Sequence, residues 1–112
     1  MTEVYLGEIR LFSWTRDTRD WTPCDGRMLS VPQNQALYSL LGHRFGGDGK
    51  KTFALPDLRG RVIVGAAAGG HPVAGEYATG PEPRDQTPDA KRPFLTLQYC
   101  IATRGDYPPR PS

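Results

Sequence analysis

The sequence predicts an α+β fold that is mostly β, a single small domain of short strands with one hairpin and a single helix packed on the sheet. Three observations predict it. The 112 residues contain 13 glycines and 11 prolines spread as turn punctuation, not gathered in one block. Two well-separated runs alternate apolar and polar residues with the period of a half-buried strand. One run alone carries an apolar face at helical spacing. With 38% hydrophobic residues, the chain has material for one core and not for a second.

The first strand is expected across 5–11, where Tyr5, Ile9 and Leu11 alternate with Glu8 and Arg10. Next, 21–24 and 27–29 flank Asp25-Gly26, a dipeptide that tolerates positive φ and so suggests a tight hairpin. Ser30 and Gln33 then stand at capping-box spacing. Pro32 is tolerated in a first turn, and Ala36, Leu37, Leu40 and Leu41 share one face before Gly42. These signals predict a helix of about three turns.

The run Gly46-Gly47-Asp48-Gly49 predicts a tightly turned loop. Thr52-Phe53-Ala54-Leu55 precedes Pro56, which pushes the residue before it out of the helical region, so a short extended piece is expected there. Arg61-Val62-Ile63-Val64 reads as a buried strand, and 94–103 as the last core strand, with Leu95, Leu97, Tyr99 and Ile101 on one side. The expected core is the face of Leu37, Leu40 and Leu41 against Ile9, Leu11, Val62, Val64, Leu97, Tyr99 and Ile101. Between the strands, 66–93 loses periodicity and reads as a long exposed loop that can be shortened without unfolding the domain. The domain organisation is then a core at 4–65 and 94–108, the loop, and a tail at 109–112. Tyr107-Pro108-Pro109-Arg110-Pro111 has a polyproline-type composition.

Charge and motifs exclude more than they assign. The net charge is +2 with acids and bases interspersed, so no basic stripe suits a phosphate backbone and nucleic acid is not an expected partner. Residues 1–10 lack the positive start and apolar run of a secretion signal, and no run of some 18 apolar residues suggests a membrane span. Synthesis in the cytoplasm is therefore expected. Cys24 and Cys100 form no C-x-x-C pair. Two buried thiols is the plain reading and a structural disulfide the alternative.

Gly49-Lys50-Lys51-Thr52 departs from a phosphate-binding loop twice: Arg44 replaces the first glycine, and Lys51 intrudes before the hydroxyl. His43 and His71 stand at no zinc-ligand spacing, so neither a metal nor another cofactor is expected. Catalysis would have to rest on scattered carboxylates such as Glu8, Asp25 and Asp57, and no enzyme is predicted. Asp57, Arg59 and Arg61 are close enough to tie down a turn through carboxylate–guanidinium hydrogen bonds. Trp14 lies in a polar run and could pack beside Trp21 or meet a partner.

The order of these motifs resembles the phage tail collar family, including its microcystin-dependent-type members. The resemblance rests on Gly7-Glu8-Ile9-Arg10-Leu11-Phe12, Trp21-Thr22-Pro23-Cys24-Asp25-Gly26, the stretch 33–42, Phe45-Gly46-Gly47-Asp48-Gly49, and the block from Thr52 through Leu55-Pro56-Asp57-Leu58-Arg59-Gly60-Arg61. It covers 4–65 and resumes over 95–108. It implies a small, non-enzymatic domain of tail fibres or a short free-standing protein, associated with fibre trimerisation, attachment and particle assembly. On that footing Trp21, Cys24, Asp25, Gly26, Pro56, Asp57, Arg59, Gly60 and Arg61 form the structural motif.

Expected partners are further copies of the chain, as a trimer or a multiple of it, and other tail or fibre proteins in a virion or extracellular tail-like particle. Trp14, Arg16, Arg19, His71 and Tyr77 are the candidate partner contacts. The alternative is a lectin-like adhesin that meets cell-surface glycan through Trp14 and Tyr77. Two departures limit what carries over. Fuller members have a longer insertion with a Thr-His-x-His segment, whereas 66–93 holds only His71, so a fibre-type metal site does not transfer. Asp20 stands where the family usually has a glycine before the tryptophan.

Overall fold

A computed structural model describes residues 4–14, 19–66, 75–77 and 93–109. Among these described residues, five strands and one helix follow in the order β1 (Ile9–Phe12), β2 (Trp21–Pro23), β3 (Met28–Ser30), α1 (Gln35–Leu41), β4 (Thr52–Ala54) and β5 (Gln98–Ala102). The mostly β, α+β class predicted from the sequence holds, with the strands in two small sheets.

The larger sheet has the order β1-β5-β2, and both of its pairings are antiparallel. Its centre is the strand latest in sequence. Ile9 to Phe12 face Ile101 to Gln98 on one side of β5, and Trp21 to Pro23 face Ala102 to Cys100 on the other. Pro23 has no amide to give to a ladder, which suits a strand with only one neighbour. Successive side chains of β5 point to opposite faces, so the sheet serves two clusters. Ile101 joins Leu6, Cys24, Leu37, Phe53 and Leu55 in the main core, while Cys100 and Ala102 pack with Trp21 on the reverse side, flanked by Val4 and Phe12.

The smaller sheet pairs β3 with β4, setting Leu29 opposite Phe53 and Ser30 opposite Thr52. The hairpin expected across Asp25-Gly26 is therefore corrected: β2 and β3 pair with β5 and β4 and not with each other. The glycine still turns the chain, with φ 79°, but it hands the backbone from one sheet to the other.

The helix is shorter than the sequence suggested, seven residues or about two turns. Ser30 is committed to β3, and the Val31 amide donates to the Lys51 carbonyl (2.9 Å), so neither is available to start a helix. The chain turns at 31–33, and Asn34 takes the N-cap position. Its side-chain amide donates back to the Ser30 carbonyl (3.0 Å), tying helix to strand. Gly42, at φ 61°, closes the helix by donating its amide to the Tyr38 carbonyl. Leu37 is fully buried from α1, and Tyr38, Leu40 and Leu41 pack partly buried beside it.

The expected core needs a second correction. Ile101 and Tyr99 join it, but Ile9, Leu11, Val62, Val64 and Leu97 are exposed, and the interior is filled instead by Leu6, Cys24, Phe53 and Leu55. Residues 61–64 belong to no strand, and the last strand begins at Gln98, leaving 94–97 outside it and exposed. Of the segment 66–93, only 66, 75–77 and 93 are described, so its character as a long loop lies largely outside the described residues, as does 110–112.

The loop between α1 and β4 is set by one carboxylate. Asp48 Oδ1 accepts the amides of Lys50, Lys51 and Thr52 at 2.9 to 3.0 Å. These hydrogen bonds hold the Asp48 carboxyl far below the ordinary range. Gly47 beside it has φ 91°, and a Cβ there would stand 2.5 Å from the Phe53 Cα. A side chain is excluded both by conformation and by space.

Candidate functional site: a double aspartate–arginine clasp

Two tripeptides with the same Asp-x-Arg spacing, Asp25-Gly26-Arg27 and Asp57-Leu58-Arg59, meet where the two sheets join. An antiparallel bridge sets Asp25 opposite Asp57. The amide of Gly26 donates to the Pro56 carbonyl (3.3 Å) and that of Leu58 to the Cys24 carbonyl (2.9 Å). The approach is close, since a Cβ on Gly26 would lie 3.2 Å from that of Asp57.

Within each tripeptide the arginine returns to grip its own aspartate. Arg27 donates Nε to Asp25 Oδ1 (3.0 Å) and Nη2 to Oδ2 (2.9 Å). Arg59 does the same to Asp57, at 2.9 and 3.0 Å. In both, the arginine's backbone amide also reaches the aspartate Oδ1, at 3.2 Å. A planar guanidinium matches a carboxylate in this two-point geometry, whereas an ammonium would not. Arg61 adds a hydrogen bond from Nη1 to the Asp57 carbonyl (2.8 Å).

The electrostatics follow from these contacts. The Arg59 side-chain hydrogen bonds, joined by its amide, hold the Asp57 carboxyl down to about 2. Arg27 lowers Asp25 in the same way, and Asp57 in turn raises Arg59. Both carboxylates stay ionised at neutral pH with their acceptor positions taken by arginine, which suits a clasp and not proton transfer. Cys24, directly before the first tripeptide, is a buried thiol pushed up to about 12, first by burial and then by nearby Cys100 and Asp25. A thiol so held stays protonated and is no nucleophile. Cys24 and Cys100 are not joined as a disulfide.

Tyr77 also meets this clasp. Its hydroxyl oxygen accepts the Asp57 amide at 2.6 Å, the Arg61 guanidinium lies 4.4 Å from its ring centre, and Phe45 meets it edge-on at 5.6 Å. Trp14 belongs to a different group. It is 56% exposed and touches Phe12 edge-on, Phe12 touches Trp21 in the same manner, and Arg10 lies 5.3 Å from the Trp21 ring centre. Trp14 thus reaches Trp21 through Phe12. Arg19 is exposed, and its carbonyl accepts the Thr103 hydroxyl at 3.3 Å. Arg16 and His71 lie outside the described residues.

Sequence reading placed Asp57, Arg59 and Arg61 at a turn but left Arg27 out of the motif. The matching Asp-x-Arg spacing was the signal that could have found it. Beside the clasp, an open groove of about 470 Å³ runs between 58–62 and 94–99, with Leu11 at its wall. Among the described residues, no cluster of three or more histidine, cysteine or carboxylate side chains could hold a metal ion, and no helix is long and apolar enough to cross a membrane.

Residues 7–63, just over half of the chain, match the family model described as Phage Tail Collar Domain. The matched span contains both halves of the clasp. No curated protein and no solved structure gives a significant match.

Proposed function

The chain belongs to the phage tail collar domain family, and from that premise we propose that it is a non-enzymatic assembly or attachment component of a phage tail or tail-like particle, joined to further copies of itself, as a trimer or a multiple of one, and to neighbouring tail or fibre proteins. The observation that carries this reading is the family match over both halves of the clasp. The chemistry agrees with it. The ionised carboxylates at the clasp are spent on arginines and its thiol is buried and protonated, so this part of the molecule supports a shape and not a reaction.

The test is to locate the chain in particles. Tail-like particles purified by density gradient from the source organism should contain it in fixed proportion to the other tail proteins. Immunogold microscopy should place it at the tail tip or fibres. A chain abundant in the lysate and absent from purified particles would overturn the proposal.

A second reading, a lectin-like adhesin, is favoured by one observation, the exposure of Trp14 on an aromatic stack. Tyr77 contributes less to it, because its hydroxyl and ring are engaged by Asp57, Arg61 and Phe45. Glycan-array binding by the isolated chain that disappears in Trp14→Ala would move the assignment to this reading.

A further inference from the structure

Of the apolar residues that the sequence assigned to the core and the fold leaves outside, Leu11, Val62 and Leu97 line the open groove beside the clasp, where Phe94 and Leu95 join them. Ile63 and Val64, next along the chain from Val62, are exposed as well. Phe94 and Leu95 are 69% and 81% exposed. The segments that carry them, 61–66 and 93–97, are rich in β-branched and large apolar residues yet belong to no strand.

The extent of this face can be compared with what an interface needs. Burying one large apolar side chain removes on the order of 100 Å² from water. The exposed fractions of these seven residues then amount to roughly 400 Å² of apolar side chain. A stable interface covers about 800 Å² per partner, a little more than half of it apolar. The face is therefore close to one full side of such an interface. Its size is that of the largest apolar patch on a typical monomer, a patch that is often functional.

The occupant follows from charge and shape. The basic side chains at the groove, Arg59 and Arg61, are committed to Asp57, so nothing there calls for an anionic ligand. Phe94 and Leu95 line this recess of about 470 Å³ and are also its most exposed large apolar residues, so each copy brings both a recess and bulky side chains at its wall. A face that gives and receives at once is self-complementary. Side chains of one copy seated in the recess of the next make a head-to-tail contact, which gives a closed ring where the rotation between copies divides a full turn.

We propose that this face is the contact between copies of the chain, with Phe94 and Leu95 of one copy entering the groove of the next. The proposal rests on the self-assembly reading above and specifies its surface. The test is the mass in solution, by light scattering coupled to size exclusion, of the full chain, Leu95→Asp, and Met28→Ser, an exposed position outside the groove. The unsubstituted chain and Met28→Ser should show a multiple of the chain mass at micromolar concentration. Leu95→Asp should raise the concentration needed for assembly about 30-fold or more, with its circular dichroism and melting under one-chain conditions preserved.

A second variant does not depend on tolerance of the charge. Leu95→Cys should form covalent pairs with a short bis-maleimide, since the natural cysteines are buried. Leu95→Asp assembling like the unsubstituted chain, or Leu95→Cys giving no cross-linked pairs, would place the contact elsewhere or give the groove to another protein, and so overturn this inference while self-assembly stands. An unsubstituted chain that remains a single copy at every concentration would remove the self-assembly reading itself.

Discussion

Leu37→Ala is the sharpest test of the core. Leu37 is 1% exposed and is enclosed by Leu6, Cys24, Phe53, Leu55 and Ile101, which come from both sheets and the loops between them. Truncation removes three carbons, worth about 0.8 kcal/mol each on transfer, or roughly 2.4 kcal/mol. The walls are strands and loops held by their own hydrogen bonds and can close only part of the gap. The residual cavity should raise the total to about 3–4 kcal/mol, within the range for such changes. Leu40 stands one turn further along the same helix but is only partly buried, so Leu40→Ala should cost about half as much. Urea unfolding at fixed protein concentration, followed by the fluorescence of buried Trp21, reads both. The Leu37→Ala midpoint should fall by roughly 2 M for a slope near 1.5–2 kcal/mol per molar. A cost below about 1 kcal/mol, or one no larger than that of Leu40→Ala, would refute this account of the core. Leu37→Met, which preserves volume, should stay within about 1.5 kcal/mol and guards against a variant that fails to fold.

Three other outcomes follow. Asp25 and Asp57 have pKa values below those of an unfolded aspartate, so the unfolded chain binds more protons in acid and stability should rise with pH there. Their contribution is full above about pH 5 and is lost as the pH falls through about 4 towards 2. Asp57→Asn should flatten that part of the melting profile, and a slope identical to the unsubstituted chain would count against the clasp. Gly47→Ala should destabilise by more than about 2 kcal/mol, because it adds positive-φ strain to a clash with the Phe53 backbone; a melting point within 2–3 °C would show that the loop relaxes freely. Cys24 should resist dithio-bis-nitrobenzoate at pH 8 in the folded chain and react on unfolding, whereas rapid labelling of the native protein would contradict its burial.

The structure separates what local sequence can specify from what it cannot. Gly26 and Gly42 do adopt positive φ, and Thr52 to Ala54 are extended, because such preferences reside in a few adjacent residues. The identity of a strand's neighbour does not. Asp25-Gly26 carries turn chemistry whether the flanking strands pair with each other or with partners far along the chain, and here β5 and β4 win. Ser30 matched a capping box, but a ladder position opposite Thr52 took it first. The run Val62-Ile63-Val64 shows the same limit, since an apolar run reports a demand for burial without saying whether its own chain supplies the cover. At the clasp, the Asp57, Arg59 and Arg61 contacts were legible from spacing alone, while the opposition of Asp25 to Asp57 depends on the meeting of two sheets.

The position of β5 at the centre of its sheet bears on how the chain is made. Ile9 must wait for Ile101, about 90 residues later, before the first strand has any ladder partner. At a synthesis rate of roughly 5–20 residues per second, that is a delay of about 5–20 s. During this interval β1 and β2 are both unpaired, and the reverse-side cluster lacks Cys100 and Ala102. A nascent chain interrupted before residue 98 would hold neither the larger sheet nor the Ile101 wall of the core. An unfinished copy therefore cannot form the larger sheet, and it stays open to proteolysis until β5 has been made.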